Sequence, residues 1–175
     1  MSLPEIGRPE DPAGETPVAI VERHWNAVFR LLFRLTANDH DSEDLAQETF
    51  LRAIERLGSF QPGTNMQAWL MRIATNAFLD LRRRRKTARA EPLRDDLAAA
   101  GSPPAGPDET TETGGLLAAA LARLPDTQRV VFLLRSQEDL PFGRIAETLG
   151  VTEETARWHM LQARRQLMTE LDGKL

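Results

Sequence analysis

The sequence predicts an all-α protein made of two small helical domains joined by a flexible acidic linker. Three observations point there. Apolar residues recur at intervals of three and four through most of the chain, and no alternating strand pattern runs longer than a few residues. Residues 1–17 and 91–115 combine Pro, Gly, Ala and acid with hardly any large apolar side chain, so neither stretch buries enough surface to offset its ordering entropy. Removing them from a chain of 175 residues leaves blocks 18–90 and 116–175, each the size of a small domain.

In the first block, Val18, Val21, Trp25, Val28, Leu32 and Leu35 form one amphipathic stripe. A second helix is expected to open near Asp41, capped by Asp41 or Ser42, with Glu43 and Asp44 in the first turn where negative charge suits the helix dipole. Its inward stripe is Ala46, Phe50, Ala53 and Leu57, and Gly58 ends it. Pro62-Gly63 marks a loop. Asn65 caps a third helix with the stripe Leu70, Ile73, Ala77 and Leu81, which runs into the cations Arg82 to Lys86. The block therefore reads as a helical bundle with a strongly basic end to its last helix.

In the second block, a short helix from Leu116 to Leu124 stops at Pro125, and Asp126 or Thr127 caps a helix carrying Val130, Val131, Leu133 and Leu134. The sequence from Leu140 onward has the helix-turn-helix pattern. Ala146 is small enough for two helices to approach, Gly150 permits a left-handed turn residue, and Val151 plugs the core between the helices. Thr152 caps the last helix, whose inward stripe is Ala156, Met160, Ala163, Leu167 and Leu171. The opposite face carries Arg157, Trp158, Gln162, Arg164 and Arg165, and no acid occurs from Thr155 to Thr169. A helix face of that kind suits a position beside phosphates.

Composition excludes several classes of function. There is no Cys, and three scattered His leave little material for a metal centre, so neither a metal nor any other cofactor is expected. An EF-hand reading of Asp39, Asp41 and Glu43 fails because the sixth position is Asp44 instead of Gly and the twelfth is Phe50 instead of Glu. The nucleotide-binding, zinc-protease and nucleophile-elbow motifs of enzymes are absent, and Lys86 and Lys174 are the only lysines. No catalytic residue is expected. The N-terminus has no basic start followed by an apolar run, and no apolar stretch reaches the length of a membrane span, so the expectation is a cytoplasmic protein without membrane insertion. The net charge of −4 seems to disfavour nucleic acid. Its distribution does not: residues 1–17 carry −3 and residues 87–115 carry −4, whereas residues 18–86 carry +3 and residues 116–175 are neutral.

Residues 41–57, DSEDLAQETFLRAIERL, closely resemble the polymerase-binding segment of region 2 in bacterial sigma factors, and 66–86 resemble the promoter-reading helix that follows it. Residues 121–169 resemble sigma region 4. The order of the two, the acidic Pro/Gly-rich linker and the lack of a region 3 resemble the extracytoplasmic-function group of the sigma-70 family. The resemblance implies a transcription initiation factor with a region 2 helical bundle and a region 4 helix-turn-helix, which binds the core RNA polymerase at the beta-prime clamp and the beta flap.

By the same resemblance, Asp44, Gln47, Glu48, Leu51, Arg52 and Glu55 dock on the clamp. Phe60, Asn65 and Met66 wall a pocket for a base extruded at the minus-ten promoter element, where a flipped base must regain its stacking and pairing. Arg72, Asn76, Arg82 and Arg83 are expected phosphate or base contacts on the same element. In region 4, Thr155, Arg157, Trp158, Gln162, Arg164 and Arg165 face the minus-thirty-five element, where Arg reads guanine and Gln reads adenine. Trp158 and His159 depart from the family's small or basic residues there. Trp158 is either a contact to thymine methyls or an anchor for a protein partner, and His159 is expected to pack. Promoter DNA and an anti-sigma factor complete the implied partners. The competing reading is a stand-alone helix-turn-helix regulator that needs no polymerase, and it leaves the 41–57 pattern unexplained.

Overall fold

The computed structural model describes residues 15–90 and 112–172, and within them there are seven α-helices and no strand. The expected tail and linker lie largely outside the described residues. Helix α1 (Pro17–Thr36) starts with Thr16, whose hydroxyl accepts from the Ala19 amide, and with Pro17 in the first turn, where its missing N–H costs nothing. Its buried face is Ile20, His24, Val28, Leu31, Leu32 and Leu35. Val18, expected in that stripe, is 65% exposed, because the inward face begins only at Ile20.

The chain turns at Ala37, a non-glycine residue at φ 52° whose N–H bonds the Phe33 carbonyl. Helix α2 (Asp39–Glu55) is capped by Asn38, three residues before Asp41 and four before Ser42, the caps expected from the sequence, since Asn38 Oδ1 accepts from the Asp41 amide at 2.9 Å. Ser42 is instead buried, bonded to Thr36 and to the Asn38 carbonyl, which locks the α1–α2 corner. A 3₁₀ turn, Leu57–Ser59, follows. Asn65 caps α3 (Met66–Ala90) through the Ala68 amide, as the sequence expects. Helix α3 packs on both α1 and α2, and Phe78, Leu70 and Met71 at its centre are sealed from solvent.

Helix α4 (Glu112–Ala122) takes in residues that the sequence assigns to the linker. Helix α5 (Asp126–Ser136) follows Pro125 with no side-chain cap. Helices α6 (Phe142–Leu149) and α7 (Glu153–Leu171) make the helix-turn-helix, with Gly150 at φ 66° in the turn, a conformation that costs a β-carbon-bearing residue strain. Ala146 is buried at the crossing, and Ala156, Met160, Ala163 and Leu167 form the inner stripe of α7. Helices α4, α5 and α6 all pack on α7.

Two histidines give this fold a pH dependence. Burial holds His24 below the ordinary imidazole value, with Arg23 adding to the effect and Glu15 opposing it, and burial alone does the same to His159. Both therefore bind protons more readily unfolded than folded. The unfolded chain gains protons as pH falls through about 6.5 while the folded chain resists, so stability drops over that range and below it. Thermal melts are expected to shift to lower temperature between about pH 7.5 and 5.5, and His24→Gln should reduce the shift.

Candidate nucleic-acid and protein interfaces

Helix α2 divides into two faces. Leu45, Ala46, Thr49, Phe50 and Ala53 are buried against α1 and α3, whereas Asp44, Gln47, Leu51 and Glu55 are exposed, Leu51 by 64%. Glu48 and Arg52 are ion-paired one turn apart, and Arg52 also lies 3.7 Å from Asp80 of α3, which holds both side chains along the helix. Ile54, absent from the sequence-based set, is 40% exposed beside Leu51 and widens the apolar centre of this face. The internal packing uses none of these exposed side chains, which leaves Leu51 and Ile54 as an open apolar centre on this face.

The second cluster lies around the loop before α3. Phe60 is 8% exposed, with its ring edge-on to Trp69 at a centroid distance of 5.2 Å. Met66 is buried in register with Leu70, Ile73 and Ala77, so it lies behind the expected pocket wall and does not form part of it. Phe60, Asn65, Trp69 and Arg72 line a cavity of about 460 Å³. Its other side is Leu140, Pro141 and Arg144 of the second domain. Arg72 is exposed and Asn76 half-buried.

The cations at the end of α3 are less free than five in a row imply. Arg82 bonds Asp126 of α5 at 2.8 Å, Arg83 pairs with Asp80 at 2.9 Å, and Arg85 grips Asp41 with two bonds of 2.7 and 2.8 Å. The bond to Asp41 raises the Arg85 guanidinium above its ordinary value, against the effect of burial. Carboxylates supplied by the fold thus answer much of the mutual repulsion that the sequence shows.

In the helix-turn-helix, Thr152 Oγ1 accepts from the Thr155 amide at 3.1 Å and meets the Thr155 hydroxyl at 2.8 Å, so Thr155 is engaged in the cap. Arg157 pairs with Glu153 one turn earlier, and its guanidinium stands 4.7 Å over the Phe142 ring, a cation–π contact that braces it. Trp158 is 52% exposed and Leu161, one turn on, 47%. Arg164 and Arg165 are exposed with no carboxylate partner among the described residues, and Gln162 is half-buried. His159 lies half-buried against Trp158 at 5.0 Å, its buried Nδ1 without a hydrogen-bond partner, which fits a packing position. Leu161 has a sequence signal, its i+3 spacing from Trp158, but it adjoins the buried Met160 and is easily read as core.

At the far end of α7, Leu117, Phe132, Leu167, Met168 and Leu171 line an apolar groove of about 1000 Å³ rimmed by Arg164 and Arg165. Met168 there is 73% exposed. Among the described residues no helix is long and apolar enough to cross a membrane.

Comparison with known proteins agrees with this geometry. The family model for sigma-70 region 2 matches residues 20–88, and that for sigma-70 region 4 matches residues 115–167. The ECF RNA polymerase sigma factor SigE of Mycolicibacterium smegmatis is 40% identical over 85% of this chain, and the match spans 58% of SigE's length. The RNA polymerase sigma factor CarQ of Myxococcus xanthus is 35% identical over 87% of each chain. Among solved structures, the sigma factor RpoE in complex with the anti-sigma factor NepR from Bartonella quintana shares the fold, with a TM-score of 0.72, 22% identity, and coverage of 90% of this chain and 98% of that one.

Proposed function

The chain belongs to the extracytoplasmic-function group of the sigma-70 family, and on that premise we propose that it binds core RNA polymerase and directs initiation at promoters with minus-ten and minus-thirty-five elements. One observation carries the reading. A helix whose outward face the fold does not need, centred on Leu51, occurs in the same chain as a helix-turn-helix whose last helix presents an acid-free cationic face. A stand-alone regulator has no use for the first of these.

The protein performs no bond chemistry in this reading; its work is docking and selective binding in the cytoplasm. Asp44, Gln47, Leu51 and Glu55, with Ile54, meet the beta-prime clamp, and the Glu48–Arg52 pair frames them. The apolar groove ending at Met168 receives the beta flap. An anti-sigma factor would act by covering these faces. Arg157, braced over Phe142, has fewer orientations to give up before DNA arrives, which lowers the entropic cost of a base contact. Trp158 and Leu161 offer apolar surface to thymine methyls beside Gln162. Thr155, whose amide and hydroxyl are both engaged by the Thr152 cap, contributes through position at the groove edge.

Around the minus-ten strand, Asn65 and Arg72 line the pocket, Asn76 follows one turn beyond Arg72 on α3, Phe60 packs with Trp69 at the pocket wall, and Met66 lies behind it. Arg82 and Arg83 contact phosphate once released from Asp126 and Asp80.

Run-off transcription with core polymerase over a promoter library tests the proposal. Transcripts from promoters sharing two spaced elements support it; tight promoter binding by the free chain with no effect of core polymerase would establish the stand-alone regulator instead. Arg165→Ala is expected to weaken minus-thirty-five binding about uniformly across sequences and to lower the slope of log affinity against log salt by roughly one, because one released counterion is lost. Titrations at several salt concentrations read that slope directly.

A further inference from the structure

The chain offers an oxidant only one kind of sulfur. It has no cysteine and five methionines, so no thiolate reacts first and no disulfide forms. The fold closes off three of the five: Met66 is 7% exposed, Met160 4%, and Met71 is sealed from solvent. Met1 lies outside the described residues. Met168 is 73% exposed, more than any other large apolar side chain among the described residues.

The place of Met168 gives this exposure a consequence. It lines the groove of about 1000 Å³ at the end of α7, beside Leu117, Phe132, Leu167 and Leu171. Arg164 and Arg165 stand four and three residues earlier on α7, one turn back on the same side of the helix. Both line the same groove, and neither has a carboxylate partner among the described residues. A thioether in that position is apolar and adapts to an irregular partner. Its sulfoxide is polar and chiral, with an oxygen that accepts hydrogen bonds, and two guanidinium donors lie within a helical turn to hold that oxygen at the groove wall.

We propose that Met168 is an oxidation site, and that its sulfoxide closes the groove to an apolar partner and so makes polymerase docking respond to peroxide. The inference rests on the reading of this groove as the seat of the beta flap.

The step is a two-electron oxygen transfer. The sulfur lone pair attacks one oxygen of hydrogen peroxide, the O–O bond breaks as the S–O bond forms, and the other oxygen takes up the proton and leaves as water. Sulfur is oxidised and peroxide reduced. A methionine sulfoxide reductase reverses the change: two reductase thiols pass to a disulfide, and the oxygen leaves as water. Docking then loses in two ways, because an apolar contact disappears and the S–O dipole must be stripped of water beneath an apolar partner.

Exposure of the full chain to hydrogen peroxide, with its peptides mapped by mass spectrometry, reads the site. Met168 should be oxidised at least about tenfold faster than Met66, Met71 and Met160, with the thermal melt unchanged. The treated chain should bind core polymerase about tenfold more weakly, and methionine sulfoxide reductase should restore the affinity. In Met168→Leu the ratio of affinities before and after peroxide should fall to about one, although Met1 remains oxidisable. Even oxidation across Met66, Met71, Met160 and Met168 would overturn the site. A treated parent chain that binds as tightly as the untreated one, or a peroxide effect that persists in Met168→Leu, would overturn the switch.

Met168→Gln separates this inference from the docking assignment beneath it, since it puts a permanent polar group in the groove without any oxidant. Unchanged polymerase affinity in Met168→Gln counts against the groove as the docking site. Weakened binding in Met168→Gln with full affinity in the oxidised parent chain counts against the sulfoxide alone.

Discussion

Leu51→Asp is expected to reduce core-polymerase affinity by at least about 30-fold while leaving the thermal melt within roughly 2 °C of the parent chain. The two halves of that result have different physical origins. Leu51 is 64% exposed on α2, so a polar replacement removes no internal packing and uncovers no cavity. In the proposed complex the same side chain is the apolar centre of the docking face, flanked by Ile54 and framed by the Glu48–Arg52 pair. Truncating a central anchor and burying a carboxylate in its place adds the loss of contact to a desolvation cost. Fluorescence anisotropy with labelled chain and core polymerase reads the first half, and circular dichroism melts read the second. A normal affinity in Leu51→Asp would remove α2 from the polymerase interface.

Phe78→Ala is expected to have the largest effect on stability, about 3–5 kcal/mol, enough to lower the melting temperature of its domain by at least about 12 °C. Phe78 is 1% exposed at the centre of α3. That helix packs on both α1 and α2, so the cavity left by the ring loosens contacts to both at once. The polymerase face on α2 and the pocket before α3 should fail together. Denaturant or thermal unfolding measures the cost, and a loss below about 1 kcal/mol would mean that the core collapses into the vacated volume more fully than its rigid helices suggest.

Much of the fold can be read from periodicity, because an amphipathic helix writes its buried face into the sequence every three or four residues. Ala156, Met160, Ala163 and Leu167 were expected inside and are inside, and Gly150 takes the left-handed turn that the helix-turn-helix pattern requires. Helix starts were harder to read. The cap of α2 is Asn38 and not Asp41 or Ser42, since several capping residues stand in a row and the choice among them depends on the turn at Ala37, a residue with no sequence signature for positive φ. The buried stripe of α1 begins at Ile20 and not at Val18 for a related reason: the ends of a stripe depend on how far the neighbouring helices extend.

For the interfaces, exposed residues on regular helices were legible and loop-proximal ones were not. Gln47, Leu51, Arg157 and Trp158 could be placed outward by helical arithmetic alone. Phe60 could not, because a side chain near a Pro-Gly loop points wherever the turn sends it, and here it is buried against Trp69 of α3; Met66, in register with Leu70, Ile73 and Ala77, follows the inward stripe of α3 once the helix start at Asn65 is taken into account. The run Arg82 to Lys86 looked like an unpaired anionic-partner site, yet Asp41, Asp80 and Asp126 lie within reach in space while standing up to 44 residues away in sequence.

The sequence by itself determined the helical class, the division into two blocks, the helix-turn-helix and the outward faces of α2 and α7, since each of these depends on local spacing and on charge along a single helix. Only the tertiary structure decided that Arg129 joins the ends of α1 and α4, that Glu138 meets Gln67, and that the second domain lies over the pocket of the first. Those contacts pair single residues across long sequence separations, through donors and acceptors that carry no periodic signal, and they exist only once both helical bundles have formed.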